Sequence, residues 1–204
     1  MRIALPYDQV FVHGAVWFQG NDAWYHMRHI ENLILHFPHI NSFDPYMLYP
    51  GGGGGGPARP FFDWLVAAAI WLVSLGSPTQ HIIDKVSASL YKVQHRLPHK
   101  PVYFIGKELF NRWVGIISAA LVAILPGEFL HRTLLGFTDH HVAEALFSTV
   151  TVMFLIMAIK RARESQLSFA HFRRRDGTSI PKHLIYTLLE GIFLGISLLY
   201  WYGG

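Results

Sequence analysis

Two short polar clusters stand out in an otherwise apolar chain. One runs Gly20-Asn21-Asp22-Ala23-Trp24-Tyr25-His26, the other Gly136-Phe137-Thr138-Asp139-His140-His141. Each joins a carboxylate to imidazoles, and the second stands directly before a long apolar run. At a membrane surface that combination suits a divalent cation. Carboxylate oxygens favour Mg²⁺ and Mn²⁺, and imidazole nitrogens move the preference toward Mn²⁺ or Zn²⁺. Each residue also has an ordinary role open to it. Asp139 can cap the helix that follows by accepting from its free N–H groups, and Asp22 can do the same for a helix beginning near residue 21. His140 and His141 can be an interfacial pair with no ligand role. The residues alone leave both readings open.

Other chemistry is less well supported. His26 with His29, and His36 with His39, are spaced HxxH, and His140-His141 is a doublet. Membrane di-iron desaturases use such boxes, but they gather them on the cytoplasmic side, whereas here they fall in an external loop. The six glycines at 51–56 form a low-complexity tract. A phosphate cradle would need a Lys-Ser or Lys-Thr pair and a helix opening directly behind it, and neither follows. With no cysteine, disulfide scaffolds, zinc ribbons and thiol nucleophiles are excluded.

The elements that must position these residues are those of a membrane protein. Of 204 residues 51% are hydrophobic and only 15% charged, against about a quarter in soluble domains. Disordered and disulfide-rich secreted classes are excluded with them. The net charge of +4 is unevenly spread, with seven of the 17 Lys and Arg between 160 and 182. That block lies between the two longest apolar runs, so it speaks for membrane orientation and not for nucleic acid. The N-terminus has no basic region followed by a long apolar run, so neither a signal peptide nor a first anchor helix is expected.

Apolar spacing predicts a helix over 21–37, capped by Asn21 or Asp22, with Met27, Ile30, Leu33, Ile34 and Phe37 on one face. Pro38, Pro45 and Pro50 then enforce loop. Residues 61–75 carry a single charge, Asp63, and are short for a span, which suits an interfacial or buried helix. Residues 82–110 begin and end like a helix, but Lys92, His95, Arg96, Pro98, His99 and Lys100 interrupt the middle. Central charges cost roughly 2.5–3.5 kcal/mol each in a bilayer, so the stretch at about 82–107 is expected to span poorly. Spans are expected at 113–129, 142–159 and 184–202, the last ending in an aromatic belt of Tyr200, Trp201 and Tyr202. The positive-inside rule makes 160–182 cytoplasmic, which puts Thr138 to His141 on the outer face and Lys107 and Arg112 inside.

These residues resemble the catalytic subunit of archaeal oligosaccharyltransferases (AglB type). Asn21-Asp22-Ala23-Trp24-Tyr25-His26-Met27-Arg28, Phe43-Asp44-Pro45-Tyr46 and Tyr49-Pro50 look like that family's first external loop. Gly106-Lys107-Glu108-Leu109-Phe110, Leu125-Pro126-Gly127-Glu128-Phe129-Leu130 and the run from Arg132 to Glu144 look like its second motif region. The resemblance implies an all-α, multi-pass transmembrane bundle with an external helical loop, the incomplete N-terminal part of a larger membrane glycosyltransferase. It implies transfer of an oligosaccharide from a dolichol-linked phosphate or diphosphate donor to Asn of Asn-X-Ser/Thr sequons, at the extracellular face of the cell membrane, with Mn²⁺ or Mg²⁺. By motif position Asp22 is both the catalytic carboxylate and a metal ligand, and Asp139 and His141 are the other ligands. His26, Arg28 and Arg132 are candidates for donor-phosphate contacts. The implied partners are the lipid donor, the sequon polypeptide and the bilayer, and no nucleic acid.

The implied organisation is an external loop over 1–81 and transmembrane helices over 82–204. The sequence departs from the family at four places. The family's helix before the loop is missing. The glycine tract replaces a patterned stretch that normally includes a histidine near the metal. The basic run 89–100 stands at an apolar helix centre, as a frame error would leave it. The chain also stops before the family's further spans and its soluble domain with the Trp-Trp-Asp-Tyr-Gly motif. A non-catalytic membrane fragment that retains metal-site residues is therefore the alternative expectation.

Overall fold

The computed structural model describes residues 4, 6–39, 41, 43–53, 60–94, 99–164 and 181–201. The chain forms two compact units. The first comprises Met1–Arg96, Pro126–Glu144 and Leu199–Gly204, the second Leu97–Leu125 and Ala145–Leu198.

The first unit opens with a short helix α1 (Tyr7–Val10) and a hairpin of β1 (Phe11–Val12) and β2 (Ala15–Val16), paired antiparallel with Phe11 opposite Val16. Val10 and Leu135 are fully buried against each other, with Phe11 and Val16 around them. This ties the hairpin to the loop that carries the second polar cluster. Gln19 N–H donates to the Gly136 carbonyl at 2.9 Å. Two glycines make the approach possible. Gly20 has φ +78 and a Cβ there would lie 2.6 Å from the Phe137 ring, while Gly136 has φ +88 and its Cβ would lie 2.7 Å from Val10 Cγ2.

Helix α2 (Asn21–His36) buries Ala23, His26, Met27, Ile30, Leu33 and Ile34, the i, i+3, i+4, i+7 stripe of an amphipathic helix. Its capping position is Gly20, and no side chain caps it, so neither Asn21 nor Asp22 has the role expected of them. Helix α3 (Pro60–Val73) packs on α2, burying Phe62, Asp63, Val66, Ala67 and Ile70. Helix α4 (Gln80–Gln94) packs on α3 in turn. The loop after α2 is clamped by Asp44. It accepts from Arg28 Nε at 2.7 Å and Asn32 Nδ2 at 2.5 Å, and its backbone pairs with Gly53.

In the second unit α5 (His99–Leu109) packs along α6 (Arg112–Ile124), touching where a Cβ on Gly106 would fall 2.9 Å from Gly115 Cα. Asn111 caps α6 through Oδ1, which accepts from the N–H groups of Trp113 and Val114. Helix α7 (Glu128–Arg132) belongs to the first unit, as does the first turn of α8 (His141–Glu164). The rest of α8 stacks Phe147 and Phe154 on Phe193 and Tyr186 of α9 (Lys182–Trp201), with ring centroids 5.6–6.1 Å apart. Lys160 Nζ donates to both the backbone carbonyl and Oε2 of Glu108 at 2.9 Å.

Two helices are long and apolar enough to cross a membrane, His141–Glu164 and Lys182–Tyr200, among the described residues. At a rise of about 1.5 Å per residue α8 reaches roughly 36 Å, beyond the ~30 Å hydrocarbon core. The expected span at 113–129 is not one helix. Pro126 cannot continue the α6 hydrogen bonding, so α6 ends at Ile124 and α7 begins afresh at Glu128. The 13 residues of α6 cover about 20 Å, short of a crossing. The stretch at 82–107 is likewise two helices, α4 and α5. Its centre at 95–98, like Gly54–Gly56 of the glycine tract, most of the basic block at 160–182 and Tyr202 of the aromatic belt, lies outside the described residues.

Candidate metal centre

Four elements of the first unit bring the polar residues together. The first two turns of α2 supply Asp22 and His26, α3 supplies Asp63, α7 supplies Arg132, and the entry to α8 supplies Asp139, His140 and His141. Asp139 is the centre, a fully buried carboxylate whose two oxygens face different partners. Its Oδ2 accepts from Arg132 Nη1 at 2.7 Å and lies 3.9 Å from His141 Nε2. Its Oδ1 lies 2.9 Å from His140 Nδ1 and 3.6 Å from His26 Nε2.

Arg132 Nη1 also donates to Asp22 Oδ2 at 2.9 Å, so one guanidinium nitrogen ties the two motif carboxylates together. Arg132 Nε donates to Glu128 Oε2 at 3.1 Å. On the inner side, the His26 Nδ1–H donates to Asp63 Oδ1 at 2.7 Å, and His26 Nε2 lies 3.1 Å from His140 Nδ1. His141 Nδ1 lies 3.1 Å from Glu144 Oε2. The cap role open to Asp139 reduces to a long 3.4 Å contact from His141 N–H, while the strong contacts go to Arg132 and His140.

Burial is the largest single influence on Asp139 and by itself would raise its pKa. The bonds to His140 and His26 and the charge of His141 outweigh it, so the carboxyl is held well below the usual range. Burial would lower the pKa of His26, but hydrogen bonds to Asp139 and Asp63 and their charges prevail and raise it to about 9. Arg132 is shifted upward despite its own desolvation, because it serves three carboxylates.

Asp22, Asp139 and His141 each offer one ligand atom within 4.8 Å of the others. Two carboxylate oxygens and an imidazole nitrogen are a donor set that fits Mn²⁺ or Mg²⁺ with remaining positions for water or phosphate oxygen. Of the expected phosphate contacts, Arg132 is at this centre, whereas Arg28 is bound to Asp44 and stacks on Tyr46. His26 faces inward to Asp63 and Asp139. The HxxH pairs are drawn to other partners: His29 lies against Tyr25, and His36 Nδ1–H donates to the Asn32 carbonyl at its own helix end. The sequence reading missed the partnership of Asp63 with His26. Its signal was a lone charge in an apolar helix, which is costly unless paired. Glu144 gives the same signal in α8.

Fold and site define a mostly helical chain with two membrane-length helices and a carboxylate–imidazole centre able to hold a cation. The family profile "Oligosaccharyl transferase STT3, N-terminal" matches residues 2–204. The chain belongs to that family. It is 34% identical over 195 residues to the dolichyl-monophosphooligosaccharide–protein glycotransferase AglB of Haloferax volcanii. It is 33% identical over 206 residues to dolichyl-phosphooligosaccharide-protein glycotransferase 3 of Archaeoglobus fulgidus. These matches cover 96% and 100% of this chain but only 18% and 22% of the relatives, so it spans about a fifth of their length.

Archaeoglobus fulgidus AglB, solved with an inhibitory peptide and a dolichol-phosphate, superposes with TM-score 0.80 at 32% identity, over 98% of this chain and 22% of that one. Further structures of the A. fulgidus oligosaccharyltransferase, one with Zn and sulfate and one tethered to an acceptor peptide containing the NVT sequon, match with TM-scores of 0.75 and 0.78.

Proposed function

We propose that this chain supplies the first part of the reaction centre of an oligosaccharyltransferase that glycosylates Asn of Asn-X-Ser/Thr sequons from a dolichol-linked phosphate or diphosphate donor. The reading includes a multi-pass helical bundle in the cell membrane, with residues 1–81 as an external loop, 82–204 as the membrane-embedded part, and the reaction at the extracellular face. The observation that carries it is the convergence of Asp22, Asp139 and His141, from motifs 110 or more residues apart, on one charged centre. The donor and acceptor classes named for the A. fulgidus complexes support it.

Each residue has a task set by its surroundings. An amide nitrogen is a poor nucleophile because its lone pair is delocalised into the carbonyl. Asp22 is the half-exposed carboxylate of the centre, and by accepting from the acceptor NH₂ it orients the nitrogen and loosens that conjugation. The nitrogen then bonds to the anomeric carbon as the bond to the lipid phosphate oxygen breaks, and its surplus proton passes along the hydrogen bond to Asp22. Without the cation Arg132 holds Asp22 and Asp139 in register, and Asp63 acts through His26 to fix the inner oxygen of Asp139. A Mn²⁺ or Mg²⁺ held by Asp22, Asp139 and His141 supplies Lewis-acid neutralisation of the charge developing on the leaving phosphate.

The test is a chimera in which this chain replaces the matching segment of the H. volcanii relative. It is assayed in membranes with lipid-linked oligosaccharide, Mn²⁺ and a sequon peptide. Glycopeptide formation that Asp22→Ala abolishes is the expected result. A chimera that integrates and binds Mn²⁺ but transfers nothing would assign the chain to the alternative, a non-catalytic fragment retaining metal-site residues.

A further inference from the structure

We propose that the inner side of Asp139 is a second divalent-cation site, of the zinc class, whose ligands are His26 Nε2, His140 Nδ1 and Asp139 Oδ1. It uses the carboxylate oxygen that the Asp22–Asp139–His141 centre leaves aside, and it does not depend on the transfer reaction.

Three basic atoms converge here. His26 Nε2 and His140 Nδ1 are 3.1 Å apart, and Asp139 Oδ1 lies 2.9 Å from His140 Nδ1 and 3.6 Å from His26 Nε2. A tetrahedral zinc ion with bonds of about 2.0–2.1 Å separates its ligand atoms by roughly 3.3–3.4 Å. The observed triangle already has that size, so ordinary side-chain adjustment admits the ion. One proton between these atoms can serve only two of the three contacts, whereas a cation serves all of them.

All three side chains are buried. His26 is 3%, His140 8% and Asp139 0% exposed, so the ligands come without competing bulk water. Asp63 completes the pattern. It accepts from His26 Nδ1–H at 2.7 Å, which holds the proton on Nδ1 and leaves Nε2, aimed into the triangle, to give up its own proton to the ion. A carboxylate behind a metal-bound imidazole is the usual outer partner of such ligands. Two imidazoles and one carboxylate favour zinc over Mg²⁺, which prefers oxygen ligands. The fourth position of the tetrahedron belongs to water or to a ligand.

The experiment uses the full chain in detergent with Zn²⁺, and with Co²⁺ as its spectroscopic stand-in. Equilibrium dialysis should give two equivalents of zinc per chain. Co²⁺ should show the intense visible bands of a tetrahedral site, and X-ray absorption should find two imidazole nitrogens at about 2.0–2.1 Å for that equivalent. His26→Gln and His140→Gln should each remove one equivalent and the Co²⁺ bands, while Asp22→Ala removes the other equivalent and leaves this one and its bands in place. Asp63→Asn, which keeps a hydrogen-bonding amide behind His26, should weaken this equivalent about 10–100-fold. A single equivalent in the wild-type chain, lost with Asp22→Ala, overturns the inference. So do His26→Gln and His140→Gln variants that keep both equivalents and the Co²⁺ bands. If a glutamine variant fails to fold, wild-type stoichiometry and the absorption-derived ligand set still decide. Failure of glycan transfer leaves this site untouched, so the two readings fail separately.

Discussion

Arg132 stands where it should compete with the proposed cation, and Arg132→Met tests the competition. Its Nη1 donates to Asp22 Oδ2 and Asp139 Oδ2, atoms of both carboxylates proposed as ligands, at 2.9 and 2.7 Å. Removing the guanidinium strips a charge-assisted bond from a carboxylate that is fully buried, which costs about 1.5–3 kcal/mol. The Asp22 bond is half-exposed on its acceptor side and adds about 0–1 kcal/mol. The cation-free variant should therefore be about 2–4 kcal/mol less stable. At roughly 2–4 °C per kcal/mol for a chain of this size, its melting temperature should fall by about 4–16 °C. The same interaction must be given up when Mn²⁺ binds the wild-type chain, but not when it binds the variant. At about 1.4 kcal/mol per decade, Mn²⁺ should bind Arg132→Met about 30–700-fold more tightly. Thermal unfolding with and without Mn²⁺, with calorimetric titration of Mn²⁺ into the detergent-solubilised chain, measures both. Equal Mn²⁺ affinity in the two proteins, or a variant as stable as wild type without metal, refutes the reasoning. The first outcome would mean that Arg132 and the cation occupy the centre together.

Further consequences concern the supports around the centre. Asp44→Asn should cost about 1.5–3 kcal/mol by releasing the loop after α2, seen as a lower denaturation midpoint and faster proteolysis within 43–53. The Arg28 bond holds the Asp44 carboxyl far below its ordinary range, with Asn32 and Tyr46 N–H adding to it. Its stabilisation is thus present above the unfolded carboxylate pKa near ~3.9 and lost as pH falls below that value. Wild type should lose stability on acidification below about pH 4, and Asp44→Asn should lose less. Gly20→Ala should destabilise by at least about 1 kcal/mol, because φ +78 and the Phe137 ring at 2.6 Å both oppose a Cβ. Chemical unfolding measures it, and an unchanged midpoint would deny that the Gly20–Phe137 approach sets the start of α2. A topology reporter fused after Phe110 should give a mixed or weak cytoplasmic signal, because neither α4 nor α5 is a continuous apolar span. Firm cytoplasmic placement with 86–104 protected from protease would contradict this.

What the sequence discloses and what it hides follow the range of the forces. Helix α2 was legible because its stripe of Met27, Ile30, Leu33 and Ile34 repeats at helical spacing, and so were α8 and α9, which need only a long apolar run. The end of α6 was not, since apolar residues continue through Leu125. The break is made by Pro126, which removes a backbone donor. The same limit applied at the centre. Asp22, Asp139 and His141 could be singled out by type and by resemblance, but the geometry joining them depends on contacts across 110 residues between Arg132 and Asp22 and 37 between His26 and Asp63. No local pattern encodes those. The charges that were legible only as anomalies, Asp63 in α3 and Glu144 in α8, are the ones that turned out to be partners.

The two carboxylates of the centre differ in a way that suits the tasks proposed for them. Asp139 has both oxygens engaged and no exposure, so its position is fixed by α7, the α8 entry and the His26–Asp63 pair. Asp22 stands in the first turn of α2 with its side chain half-exposed and one oxygen bound to Arg132. A group that must meet an incoming polypeptide needs an open face, and a group that must hold charge in place needs a rigid one. Burying Asp22 as deeply as Asp139 would close the carboxylate proposed to face an acceptor amide. Exposing Asp139 would weaken its bonds to Arg132 and the two imidazoles through water screening.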